Sequence, residues 1–381
     1  MSTIRDVRAI PLERRLDRVF LGGTYQIDSR FTMIVEIELD NGIVARTFGG
    51  DEEYHQKKIA DTINGPFRDL LLGKTVFDVE AHWDAMFHCD KVGLANRGIH
   101  TLDLANKSVI LQAIAAVDIA LWDAIGKTLQ LPLYRLLGGF RDSVPVIAIG
   151  GYYAEGKGEK EFAEELRCYQ RAELAGLKIK VGRLRPKEDA ERVRFAREVV
   201  GDNFVLCCDA NQAWTADEAI QFSRCVESLN IRWLEEPVVW YEQLPGLARV
   251  RQQSRLPINA GQGEISRFGC ADLIRLGAVD ILNVDATIAG GVTEWRRIAG
   301  MASATGIQMA HHEEPQVAIH LLASMPHGLF VEIFPDPARD PMWFELPVNH
   351  PPIKAGRMQV PQGPGLGMDL NQDVIDRFRA N

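Results

Sequence analysis

Residues 205–235 read VLCCDANQAWTADEAIQFSRCVESLNIRWLE. A short apolar run, Val205–Asp209, ends on a carboxylate. An amphipathic stretch follows, and a second apolar run, Ile231–Glu235, ends on another carboxylate. Short buried strands separated by helical stretches predict parallel pairing. The unit recurs on both sides. Val144–Gly150 and Leu177–Val181 precede it; Pro257–Gly261, Ile281–Asp285, Gln308–His312 and Phe330–Phe334 follow. Eight such runs over roughly 200 residues predict an α/β fold, a (β/α)8 TIM-type barrel.

The first third is different. Ile4–Leu12 reads as a strand, and Phe31–Leu39 alternates with a rough period of two. Asn41-Gly42 supplies a hairpin turn and Ile43–Phe48 returns. Helical segments follow near Gln56–Leu72 and Val76–Phe87. These features predict an N-terminal α+β domain over 1–125, which the resemblance given below implies is a capping domain, a barrel over 126–340, and a C-terminal segment, 341–381, that returns to the first domain. A long helix, Leu111–Thr128, follows; its Leu111–Ile125 part, with Asp118 and Asp123, reads as too short and too charged to span a bilayer.

The bulk numbers narrow the function. The 381 residues carry a net charge of −9 and are 46% hydrophobic. An acidic chain without a basic stretch is a poor partner for nucleic acid or an anionic membrane. The cysteines, 89, 168, 207, 208, 225 and 270, form no CxxC pair. With no apolar leader at the N-terminus, the expectation is a reduced, cytoplasmic protein.

In a parallel barrel the C-terminal strand ends meet on one face, where active sites lie. Here those ends carry Lys178 and Lys180, Asp209, Glu235, Gln262 and Glu264, Asp285, His312 and Glu332. One charge at a strand end is commonplace; the set is not. Carboxylates from neighbouring strands, with water or substrate completing the shell, suit Mg²⁺. Lys178 and Lys180 are two apart and face one side, so their repulsion is expected to lower the pKa of at least one. Asp285 beside His312 fixes a tautomer and raises basicity.

These residues carry a resemblance. The chain is similar to the enolase superfamily, and within it to the mandelate racemase subgroup, over nearly its whole length. The matching stretches include Ala116–Lys127, Pro132–Gly139, Lys178-Ile-Lys180, Asp209-Ala-Asn-Gln212, Trp233-Leu-Glu-Glu-Pro237, Asp285–Trp295 and Gly306–His312. The resemblance implies Lys180 as the acid or base on one face of the substrate, tuned by Lys178. Asp285 and His312 form the dyad on the other. Asp209 and Glu235 are the first two Mg²⁺ ligands, and Asn211 lies near the metal. Glu332 hydrogen-bonds the enolate.

One departure stands out. The family's third acidic ligand follows a glycine at the end of the fifth strand, and here that position is Gln262, in Gly261-Gln-Gly-Glu264. Two residues on, Glu264 points the same way in an extended segment and is the expected third ligand, with Gln262 beside it or substituting.

The resemblance further implies a carboxylate substrate, one Mg²⁺ per site, a homo-oligomer, and cap loops that set specificity. The loop candidates are Leu21–Arg30, with Tyr25 and Arg30, and Gly49–His55. His311, Glu313 and Glu314 flank His312 as either substrate contacts or ordinary loop charge. The expected reaction removes the proton next to the carboxylate, giving an enediolate, and expels water from a sugar acid. Racemisation or cycloisomerisation on the same scaffold is the alternative. A binding role without catalysis is a third, with Gln262 as its best support.

Overall fold

The computed structural model describes residues 2–89 and 104–380. Three antiparallel strands open the chain: β1 (Ile4–Leu21), β2 (Gln26–Leu39) and β3 (Val44–Gly49). β1 outruns the sequence expectation because Arg14–Leu21 pairs on across β2 to a tight loop at residues 22–25. The Asn41-Gly42 turn forms as expected. Gly42 takes φ +84°, and the Asn41 side chain accepts the Ile43 N–H at 3.1 Å.

Eight parallel strands follow: β4 (Ser143–Gly150), β5 (Gly176–Lys180), β6 (Val205–Asp209), β7 (Ile231–Glu235), β8 (Ile258–Ala260), β9 (Ile281–Asn283), β10 (Gln308–Ala310) and β11 (Val331–Ile333). Each of β4 to β9 pairs with the next in chain order, and β11 returns to β4. A bridge between Met309 and Gly328 completes the ring. The strands are apolar on both faces because one faces the barrel centre and the other the helices. Ile147, Cys207, Trp233, Ile281 and Ala310 fill the lower interior as one apolar cluster. The polar strand ends lie above that plug.

Helix Leu104–Leu129 runs on through residue 125 without a break. It is longer than the sequence reading and is in fact long and apolar enough to cross a membrane, yet 89% of that window is buried within the fold. Asp118 bonds the Thr293 N–H and hydroxyl at 2.9 and 2.6 Å. Asp123 accepts the Leu366 N–H at 2.7 Å. The two acids that argued against a membrane span are thus polar pins in a core helix. Past the barrel, β12 (Ile353–Lys354) and β13 (Arg357–Gln359) pair antiparallel and β13 lies on β4, while Arg379 bridges to Leu12 of the cap.

Candidate active site

The rim is built from backbone that leaves the strands in unusual conformations. Asn211, Glu236, Glu313 and Glu314 all have φ between +37° and +50°, and Gly261 sits at +125°. Side-chain-bearing residues seldom adopt the left-handed region, so the rim holds stored strain of the kind found at functional sites.

Lys178 is fully buried between Glu235 and Glu332, each 2.7 Å away, with Asp209 at 3.8 Å. Lys180 contacts Asp209 at 2.7 Å. The expected lowering of a lysine pKa is not what this arrangement gives. Burial opposes the charge on both lysines, but Glu235, Glu332 and Asp209 around Lys178, and Asp209 beside Lys180, hold both pKa values up. Repulsion between the two ammonium groups loses because carboxylates stand between them. Glu235 also takes the Asn283, Trp233 and Asn259 N–H groups at 2.9, 2.9 and 3.1 Å. Burial pushes its pKa up to about 7 against the pull of Lys178. Glu332 is the counter-ion of Lys178 and accepts the Glu313 N–H at 3.1 Å. In this arrangement it accepts rather than donates.

Across the mouth, His312 Nδ1 lies 3.1 Å from Asp285, whose other oxygen takes the Thr287 N–H and hydroxyl at 2.8 and 2.7 Å. His312 Nε2 lies 3.4 Å from Glu313. Burial disfavours the imidazolium, yet Glu313 and Asp285 outweigh it and raise the His312 pKa to about 9.

A cavity of about 420 Å³ is lined by Lys180, Asn211, Gln262, Asp285, His312, Glu313 and Tyr25, among others. The Tyr25 ring centroid lies 5.6 Å from the Lys180 Nζ. Its loop is seated on the rim because Gly23 lets the backbone come close: a Cβ there would lie 2.6 Å from the Val181 carbonyl.

Two sequence expectations land elsewhere. Arg30 is buried on three carboxylates, Asp51 at 2.7 Å, Asp340 at 3.1 Å and Glu314 at 3.2 Å. Its guanidinium fastens cap to barrel and is already taken up. The Glu264 carboxylate turns against Gly269, where a Cβ would meet Oε2 at 1.7 Å. It is not among the cavity's lining residues, whereas Gln262 is. The turn after Gly261 ends the extended geometry on which the alternation argument rested.

The fit to a hard cation is mixed in an informative way. Among the described residues no three His, Cys, Asp or Glu side chains converge as a ready metal cluster. The buried Asn211 Oδ1 and Gln262 Oε1, however, have no hydrogen-bond partner. Unpaired buried acceptors are costly. Both belong to the cavity that Lys180 lines, and Asn211 Nδ2 contacts Asp209 at 3.2 Å. An Asp carboxylate with vacant amide oxygens nearby is a donor set that suits Mg²⁺.

Comparison with known proteins shows the family. The enolase C-terminal domain-like model matches residues 161–374, and the mandelate racemase/muconate lactonizing enzyme N-terminal model matches 23–138. The chain belongs to the mandelate racemase/muconate lactonizing enzyme family of the enolase superfamily. It is similar to an arabinonate dehydratase of Saccharolobus solfataricus, 29% identical with 91% of this chain and 90% of the relative covered. A 3,6-anhydro-alpha-L-galactonate cycloisomerase of Streptomyces coelicolor is 30% identical, with 98% and 97% covered. The solved structure of a family member from a marine actinobacterium, in complex with magnesium, superposes with a TM-score of 0.91 at 40% identity, covering 100% of both chains.

Sequence reasoning undervalued Glu313, which it left level with loop charge, and missed Arg339. Arg339 is 2% exposed and lines the same cavity. It follows the last barrel strand in a Pro-rich stretch that carries no motif signal.

Proposed function

We propose that this family member is an Mg²⁺-dependent acid-sugar dehydratase. One observation carries the reading: two proton-transfer groups with separate carboxylate partners, Lys180–Asp209 on β5 and β6 and Asp285–His312 after β9 and β10, line one cavity. The cation would be held by Asp209, Glu235 and the amide oxygen of Gln262, with Asn211 close by. Glu264 is set aside because its carboxylate points away. Bound there, Mg²⁺ would take up the charge of Asp209 and stabilise the negative charge that builds on the substrate carboxylate.

The chain's own groups then divide the work. Lys178 places a buried positive charge beside that carboxylate. Once Asp209 no longer holds it charged, Lys180 gives its own proton to solvent, and the neutral amine takes the proton from the α-carbon. The electron pair left behind flows toward the carboxylate and then expels the β-hydroxyl. That hydroxyl departs as water with a proton from His312, which already holds one at neutral pH. The enol so formed becomes a 2-keto-3-deoxy acid. A charged His312 favours dehydration, because it is ready as an acid rather than as a second base.

Screening an acid-sugar library with Mg²⁺ for 2-keto acid tests the reading. At least one acid should yield it with kcat/KM above about 10² M⁻¹s⁻¹, somewhat below the usual enzyme range. Solvent deuterium entering the α-carbon without loss of water would instead place the enzyme with the racemases and epimerases.

A further inference from the structure

The cavity that holds Lys180 and His312 is rich in carboxylates. Among the described residues its lining carries Asp51, Glu52, Asp285, Glu313 and Glu314, with one guanidinium, Arg339. Arg30 does not line it and is held by Asp51, Glu314 and Asp340. Arg339 is packed 4.0 Å over the Phe334 ring with its Nε on the Tyr152 hydroxyl at 3.2 Å. Its NH1 has no hydrogen-bond partner. Five lining carboxylates therefore stand against Lys180, His312 and Arg339.

Glu313 is the lining carboxylate that lies beside His312 Nε2. Two consecutive non-glycine residues, Glu313 and Glu314, are held at φ +50° and +47°. The Glu313 N–H is tied to Glu332 and Glu314 is tied to Arg30 and the Gly50 N–H at 3.2 Å. This strained pair turns the Glu313 carboxylate into the cavity, 3.4 Å from His312 Nε2. An ionised carboxylate only accepts hydrogen bonds, so it welcomes hydroxyl donors and repels another carboxylate. The free NH1 of Arg339 complements it as a donor to a hydroxyl oxygen.

We infer that the substrate is a monocarboxylic acid with a neutral, hydroxyl-bearing tail, and that Glu313 is the group that excludes a second carboxylate. The inference rests on the dehydratase reading and sharpens it: aldonates are admitted and aldarates rejected. A site built for a diacid would need surplus positive charge around the cavity, and its lining among the described residues supplies the reverse.

The test uses matched pairs, gluconate with glucarate and galactonate with galactarate. Binding to Mg²⁺-loaded Lys180→Ala protein is measured by titration calorimetry, so that turnover does not intervene. The aldonate of at least one pair should bind thirtyfold or more tightly than its aldarate. Adding Glu313→Gln should shrink that gap at least tenfold with an unchanged melting temperature. An aldarate that binds within threefold of its aldonate overturns the inference and leaves the dehydratase reading intact. So does a gap that Glu313→Gln, still folded, does not alter. Should Glu313→Gln melt early, the gap in the parent protein decides alone. Failure of every sugar acid to bind would remove the dehydratase reading and this inference with it.

Discussion

His312 carries a proton because Glu313 and Asp285 flank it, and that has a consequence for stability. Its pKa rises from 6.5 to about 9 on folding. A group whose pKa is raised on folding contributes stability that is fully present below the unfolded value and is lost as pH climbs through the folded one. The stability advantage of wild type over His312→Asn should therefore be largest below pH 6.5 and shrink across roughly pH 6.5 to 9. The expected loss is on the order of 1–3 kcal/mol, read by denaturant unfolding of both proteins at several pH values. On the catalytic side, Lys180→Ala and His312→Asn should each lower kcat by about 10²–10⁴-fold while the fold persists by circular dichroism. Equal activity in either variant would remove proton transfer from that residue. The identities of these residues were readable from their places at the ends of apolar runs. Their ionisation was not. The KxK spacing shows the repulsion between two lysines but not the carboxylates that three-dimensional neighbours insert between them.

At the scale of the element, the eight strands were legible because each is a short apolar run that both barrel faces bury. What escaped was the path of the chain after a strand. Alternation carries Glu264 to the same side as Gln262 only in extended backbone, and Gly261 at φ +125° breaks that premise. If Gln262 is the donor beside Asp209, Gln262→Glu should tighten Mg²⁺ binding about tenfold or more by adding a charge. Glu264→Gln should leave it within twofold. Calorimetric titration with Mg²⁺ checks both, and the opposite pattern would restore Glu264. The helix Leu104–Leu129 teaches a similar point. Its two acids look like interruptions in sequence, yet Asp118 closes onto Thr293. Asp118→Ala would leave the Thr293 N–H unpaired in the core and should cost about 1–3 kcal/mol, read as an earlier unfolding midpoint.

Across the whole molecule, cap and barrel are joined by buried polar ties, and Arg30 is the most heavily engaged. It was read as a substrate contact because it lies near a cap loop that reaches the mouth. Sequence could not show that carboxylates from the other cap loop, the rim after β10 and the segment beyond β11 converge on it. Arg30→Ala strands two buried carboxylates, Glu314 and Asp340, and the more exposed Asp51, and should destabilise the protein by roughly 3–5 kcal/mol. A separate low-temperature transition for the cap in calorimetry would show that Arg30 couples the two parts; no change in melting would deny it that role. The central claim is that catalysis begins by removing the proton next to the carboxylate. It is tested most directly by turning over an accepted sugar acid carrying deuterium at its α-carbon, with Mg²⁺ present. The account predicts that the label is released to water as the 2-keto-3-deoxy acid forms. Product that carries the deuterium in full at C3, as an intramolecular 1,2-hydride shift would leave it, would contradict it.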